Sequence, residues 1–109
     1  MEQPLQITFR DIAPSPALEE NIRQRASKLE RFYDHIVGCR VLVEEHHHHH
    51  RKGRLFHVRI QVIVPEGEIV VSHDPQDEHE HEDVYVAVRD AFDSARRQLD
   101  EHAHRLHHD

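Results

Sequence analysis

The 109-residue sequence has few of the residues that mark several classes of protein. Its single cysteine, Cys39, excludes a disulfide framework, so a reducing compartment and a cytoplasmic location are expected. It has only three glycines, and none belongs to a glycine-rich phosphate loop. No apolar run approaches the roughly 20 residues of a membrane span, and the first residues lack the pattern of a secretion signal. The sequence therefore predicts neither a membrane partner nor export.

Charge is the unusual property of this composition. The net charge is −7 with histidine neutral, yet 14 residues are histidine. Acidic chains usually repel nucleic acid, because phosphate contacts dominate that affinity. Free histidine titrates near pH 6.5, so protonation of half of these side chains would cancel the negative charge. We therefore expect binding to an anionic partner to strengthen under mild acid.

Alternation of apolar and polar residues predicts four strands. The clearest is the third, where every second residue from Phe56 to Val64 is apolar. Pro65-Glu66-Gly67 then indicates a hairpin turn. The predicted strands cover residues 5–10, 39–43, 56–64 and 68–73.

Apolar residues at helical spacing predict two helices. The first has Ser15 as N-cap and Pro16 at its first position, and it extends to about His35. Asp83 caps the second, whose apolar stripe covers residues 84–99. The order β-α-β-β-β-α predicts an α+β fold in which both helices pack on one face of a four-stranded sheet and the other face stays open.

Polar segments complete the predicted organisation of a single domain over residues 1–109. Residues 44–54 form a histidine-rich loop and residues 74–82 an acidic loop. Residues 100–109 form a polar tail that we expect to fray.

Short motifs in both predicted helices resemble one known family. Residues 83–88 read DVYVAV and residues 97–99 read RQL, while residues 18–22 read LEENI and residues 28–33 read KLERFY. At this length and in this element order, the chain is similar to the ribosome hibernation-promoting factors and ribosome-associated inhibitors over about residues 5–106.

The resemblance implies a double-stranded-RNA-binding-like fold and a cytoplasmic stress-response protein that is not an enzyme. Members of that family bind the small ribosomal subunit, contact ribosomal RNA in the decoding channel and block messenger and transfer RNA. The resemblance thus implies these partners, no small-molecule substrate and no cofactor. Long members carry a second domain that pairs ribosomes, so this chain resembles the short type.

The resemblance also assigns an RNA-binding set to the two helices. Arginine and lysine suit this role because phosphate oxygens accept charge-assisted hydrogen bonds, and arginine can donate two in parallel. The chain departs from the family late in the second helix, where acidic residues balance the arginines unless the histidines are protonated. The predicted set is Arg25, Lys28, Arg31, Arg97, Gln98 and Arg105.

The same arginines also fit an ordinary solvated helix surface. Arg89 and Asp93, Asp93 and Arg97, and Arg96 and Asp100 are each four residues apart. Pairs at this spacing contribute only about 0.3–0.5 kcal/mol each. Spacing alone therefore leaves both interpretations open.

The histidine run suggests a metal site. His46, His48 and His50 would share one side of an extended segment, and His57 could join them across a hairpin. Adventitious binding of zinc or nickel in vitro and a merely solvated loop are the alternative explanations of the run, and no cofactor is predicted.

The sequence leaves three functional hypotheses. The first is a ribosome-binding stasis factor that occludes the decoding channel. The others are a metal sensor or buffer on the same fold, and a divergent member that binds a protein through its open sheet face.

Catalysis is not predicted. Cys39 alternates with Val41 and Val43, which indicates a small core residue. No serine or cysteine has a recognisable base and orienting partner.

Overall fold

The computed structural model describes residues 1–46, 55–73 and 83–106. They form six elements in the predicted order β-α-β-β-β-α. The elements are β1 (Gln6–Arg10), α1 (Pro16–Phe32), β2 (Gly38–His46), β3 (Leu55–Val64), β4 (Gly67–His73) and α2 (Val84–Leu106). Among these described elements, neither helix has the length and apolar content of a membrane span.

The four strands form one sheet in the order β1-β2-β3-β4. β1 lies parallel to β2, with α1 as the crossover, and the remaining pairs are antiparallel. β3 and β4 are joined by a two-residue turn at Pro65 and Glu66, as predicted. Gly67 follows with φ +151°, a conformation that residues with a side chain rarely adopt.

Both helices pack on one face of the sheet, so the predicted α+β fold is confirmed. The core side chains of β3 are the alternating set that starts at Phe56, and Cys39 of β2 is buried among them. No polar or charged residue is fully buried in the described part of the chain. The helices contribute Leu18, Ile22, Ala26, Leu29, Ala87, Val88, Ala91, Phe92, Ala95 and Leu99 to the core.

The helix starts follow the predicted caps. The Ser15 Oγ accepts a hydrogen bond from the Leu18 N–H at 3.2 Å, and the Asp83 Oδ1 accepts one from the Tyr85 N–H at 2.8 Å. α1 ends at Phe32, three residues before the predicted end at His35. Tyr33 takes an extended conformation that turns the chain towards β2, and its own side chain is buried.

Two predicted segments need correction. Residues 44–46 belong to β2 and not to a loop, because each pairs with a residue of β3. Residues 100–106 continue α2 instead of fraying, because Ala103 packs against the core and His102 contacts Glu66 of the β3–β4 turn at 3.1 Å. The rest of the histidine-rich loop, the acidic loop and residues 107–109 lie outside the described residues, and the division into one domain stays a prediction.

Candidate nucleic-acid interface

A groove between α1 and α2 brings together part of the predicted RNA-binding set. Its volume is about 100 Å³. The α1 residues that line it recur every three or four positions, so they share one helical face. This interhelical groove is lined by Arg25, Lys28, Leu29 and Phe32 of α1 and by Phe92, Asp93 and Arg96 of α2.

Three cations surround the apolar floor of the interhelical groove. Arg25 is oriented by a hydrogen bond from its Nε to the Asn21 Oδ1 at 2.9 Å. The Arg96 guanidinium carbon lies 4.5 Å from the centroid of the Phe32 ring, a cation–π contact. Lys28 has no hydrogen-bond or ion-pair partner among the described residues, so its ammonium group is available to a ligand.

The groove also contains one acceptor, the carboxylate of Asp93. None of the three predicted pairs at four-residue spacing forms within the described part of α2. Arg89 instead contacts the adjacent Asp90 at 3.2 Å, and the Arg97 guanidinium donates to the Ser94 Oγ at 3.0 Å. Asp93 is exposed and lines the groove without a partner among the residues described, so its carboxylate is available to a ligand or to water.

The remaining predicted residues lie elsewhere. Arg97, Gln98 and Arg105 line a second groove, of about 460 Å³, between α2 and β4. Glu101 also lines this outer groove, so its positive charge is partly balanced. Arg31 is exposed in the last turn of α1 and lines neither groove.

Sequence reasoning missed three residues of the interhelical groove. Arg96 follows the core residue Phe92 by four positions, a spacing that would have placed it beside α1. The apolar stripe of α1 can end on either Phe32 or Tyr33, and the structure buries Tyr33 and leaves Phe32 40% exposed. Asp93 carried no sequence signal beyond its possible helix pairs.

The open face of the sheet carries a third basic region. Arg40 lies between Gln6 and Gln61 in the strand register, and Arg59 is exposed on the next strand. Arg10 is paired with Glu44 at 3.7 Å. This sheet-face groove has a volume of about 210 Å³ and is lined by Gln6, Thr8, Arg10, Arg40, Val41, Leu42, Arg59 and Gln61.

The predicted metal ligands are brought together only in part. The rings of His46 and His57 lie with centroids 5.8 Å apart, and the His46 Nε2 is 3.2 Å from the Glu44 Oε1. The described residues contain no group of three or more side chains placed to hold a metal ion. His48 and His50 lie outside those residues, so the metal hypothesis stays a prediction.

Three groups away from the grooves have shifted pKa values. Burial raises the pKa of the Cys39 thiol to about 12, so it carries no thiolate at neutral pH. The pKa of Glu66 is lowered, mainly by its hydrogen bond with His102. Burial also raises the pKa of Tyr33, whose ring contacts that of His102 and whose hydroxyl is further affected by the negative charge of Glu66.

Comparison with known proteins places this architecture in a family. A family model described as Sigma 54 modulation protein / S30EA ribosomal protein matches residues 5–107. The ribosome hibernation promotion factor of Deinococcus radiodurans is 30% identical over 96 residues, which are 86% of this chain and 46% of that relative. The chain thus spans about half the length of this curated relative.

Two solved structures share the fold. A ribosomal subunit interface protein from Coxiella burnetii has a TM-score of 0.71 at 18% identity, covering 91% of this chain and 96% of that one. The N-terminal domain of Protein Y from Thermus thermophilus has a TM-score of 0.62 at 19% identity, covering 86% of this chain and 91% of that one. The resemblance drawn from the helix motifs is confirmed, and the chain belongs to the Sigma 54 modulation protein / S30EA ribosomal protein family.

Proposed function

We propose that this chain is a ribosome-associated stasis factor that binds the small subunit and blocks translation by occupying the decoding channel. It acts in the cytoplasm by occlusion and catalyses no reaction. Family membership and the name of the Deinococcus radiodurans relative support the ribosome as its partner. The observation that carries the proposal is the interhelical groove, where three cations and one carboxylate meet in a chain of net charge −7.

The proposed contact with RNA is mainly electrostatic. Arg25, Lys28 and Arg96 donate to phosphate oxygens of ribosomal RNA, and Arg97 and Arg105 extend the contact along the outer groove. Each phosphate that a cation neutralises releases counterions, so affinity falls with salt. Binding through a small basic region of an acidic protein gives a shallow salt dependence, set by this region and not by the whole chain.

The test is co-sedimentation with isolated small subunits through a sucrose gradient over a range of salt concentrations. In the double variant Arg25→Ala/Lys28→Ala, we expect affinity to fall at least about tenfold and the salt slope to fall by about 1 to 2. Failure of the wild-type chain to sediment with the subunit at any salt concentration contradicts the proposal.

A matched control is available on the same helices. Arg23 is paired with Glu19 at 2.8 Å and Arg89 with Asp90 at 3.2 Å, and neither residue lines any of the three grooves. Arg23→Ala/Arg89→Ala removes the same total charge, one cation from each helix, and should change affinity less than threefold. An equal loss in both double variants would show that overall charge, and not the groove, determines binding.

A further inference from the structure

We infer that the interhelical groove binds one unpaired guanine nucleotide of the RNA partner, with Asp93 as the residue that selects the base. The inference rests on the proposed function, because it assumes that RNA occupies this groove. It goes beyond phosphate contact by assigning a base to a defined place between α1 and α2.

Arg96 and Phe32 together form a surface on which a base can stack. Phe32 is an aromatic side chain left 40% exposed beside a basic groove, and Arg96 lies over its ring at 4.5 Å. Unpaired RNA bases stack on aromatic rings and on guanidinium planes. The contact with the Phe32 ring holds the Arg96 guanidinium beside the groove, where it offers a planar group on which a base can stack. The side chain thereby loses less conformational freedom when a base stacks on it.

The size of the groove favours a single nucleotide. The groove is a half-open cleft between two packed helices and is lined by seven residues, an extent that matches one nucleotide. The buried side chains of Leu29 and Phe92 underlie it, while the charged residues on its α2 side are exposed, so a base edge that enters it loses part of its contact with water. Polar groups on that edge then need partners within the groove.

Asp93 supplies that partner. Its carboxylate lines the groove, has no partner among the described residues and can only accept hydrogen bonds when ionised. Guanine is the base whose Watson–Crick edge carries two adjacent donors, N1–H and the N2 amino group, which match the two carboxylate oxygens. Adenine and cytosine place an acceptor beside their amino group, and uracil places acceptors on both sides of its single N–H, so each would put an acceptor against the carboxylate.

Arg25 and Lys28 complete the site from α1. They lie three residues apart on the groove face, and Arg25 is oriented by Asn21. They are placed to neutralise the phosphates on either side of the bound nucleotide, while Asp93 and Arg96 of α2 contact the base. The division of roles is between helices: α1 holds the backbone and α2 reads the base.

The experiment compares the affinity of the full chain for four single-stranded RNA pentamers of uridine, measured by fluorescence anisotropy at low salt. The central nucleotide is guanosine, inosine, adenosine or uridine. We expect guanosine to bind about tenfold more tightly than adenosine or uridine, since a bidentate pair discriminates at this level. Inosine, which lacks the N2 amino group, should fall between them. Equal affinity for guanosine and adenosine, or no binding to any pentamer, overturns the inference.

Two variants test the role of the carboxylate. Asp93→Asn should bring the affinities for guanosine and adenosine within about twofold of each other. Asp100→Asn removes the same charge from an exposed position of α2 that lines none of the grooves, and it should keep the tenfold preference. A preference that survives in Asp93→Asn excludes the assigned residue. Circular dichroism verifies that both variants are folded.

Co-sedimentation with small subunits separates this inference from the function on which it rests. If the wild-type chain sediments with the subunit but shows no guanine preference, the base site is refuted and the proposed function stands. If the chain shows the preference but never sediments with the subunit, the proposed function fails and the base site stands.

Discussion

The side of the protein formed by α1 and α2 (the helix face) and the open side of the sheet (the sheet face) both carry exposed arginines. The side chains around those arginines differ between the two faces. On the helix face, Arg96 lies against an exposed ring and near an unpaired carboxylate. On the sheet face, Arg40 and Arg59 lie among glutamine, threonine and aliphatic side chains, and the groove has no aromatic lining. Arginine alone provides attraction to phosphate, whereas a ring and an acceptor beside it provide a site for a base. From this difference we propose that the helix face recognises RNA and that the sheet face only adds attraction.

The largest effect should come from a change that damages both faces together. Ile60 is fully buried in strand β3 and belongs to the core that the sheet shares with both helices. Ile60→Ala should lower the free energy of unfolding by about 2–5 kcal/mol, because it removes buried methyl groups and leaves a cavity. Urea denaturation followed by circular dichroism measures this loss. An unchanged unfolding midpoint would mean that the packing of the helices on the sheet is not as described.

Removing one arginine from each face should distinguish the contributions of the two faces to binding. Arg96→Ala removes a charge and the stacking plane, so affinity for the small subunit should fall about tenfold. Arg59→Ala removes only an exposed charge, so affinity should fall about twofold and the salt slope by no more than about 1. Co-sedimentation measures both variants. A larger loss in Arg59→Ala than in Arg96→Ala would reverse the assignment of the two faces.

Exposed apolar residues give the same comparison without a change in charge. Phe32 on the helix face is 40% exposed, and Val70 on β4 is 37% exposed. Phe32→Ala removes the ring that holds the Arg96 guanidinium in place, so binding of the guanosine pentamer should weaken roughly fivefold to tenfold, within the range of about 1–3 kcal/mol that a stacked base contributes. Val70→Ala should leave that affinity unchanged. Equal effects in the two variants would show that the Phe32 ring makes no specific contribution to binding.

The smallest effect concerns the contact between α2 and the β3–β4 turn. The hydrogen bond with His102 lowers the pKa of Glu66. A carboxyl whose pKa is lowered on folding adds stability above its unfolded pKa, and that stability is lost as the pH falls through the folded pKa. NMR titration should show Glu66 with a midpoint below that of an ordinary glutamate, and His102→Ala should return it towards the ordinary value. An unchanged midpoint in His102→Ala would show that the contact is absent in solution.

The fold could be predicted from the sequence because its signals are local. Alternation in β3, the caps at Ser15 and Asp83, and the apolar stripe of α2 each specify an element without reference to the rest of the chain. The ends of elements depended on distant partners. β2 extends to His46 because β3 lies beside it, and α2 extends to Leu106 because Ala103 and His102 find contacts on the sheet layer.

The candidate site was predictable only for its charges. Arg25 and Lys28 could be found because their spacing and the family resemblance agree. Phe32, Asp93 and Arg96 could not, because their roles depend on which faces of two helices meet. The predicted set also joined residues that α2 separates, since Arg97 and Arg105 line the outer groove and not the groove of Arg25.

The central claim is that the helix face is the side turned towards ribosomal RNA. A cryo-electron microscopy reconstruction of the chain bound to the small subunit tests it most directly. We predict that α1 and α2 face RNA in the decoding channel, with a nucleotide at the interhelical groove and Arg96 against its base. A complex in which the sheet face contacts RNA, while α1 and α2 face solvent, would contradict the account.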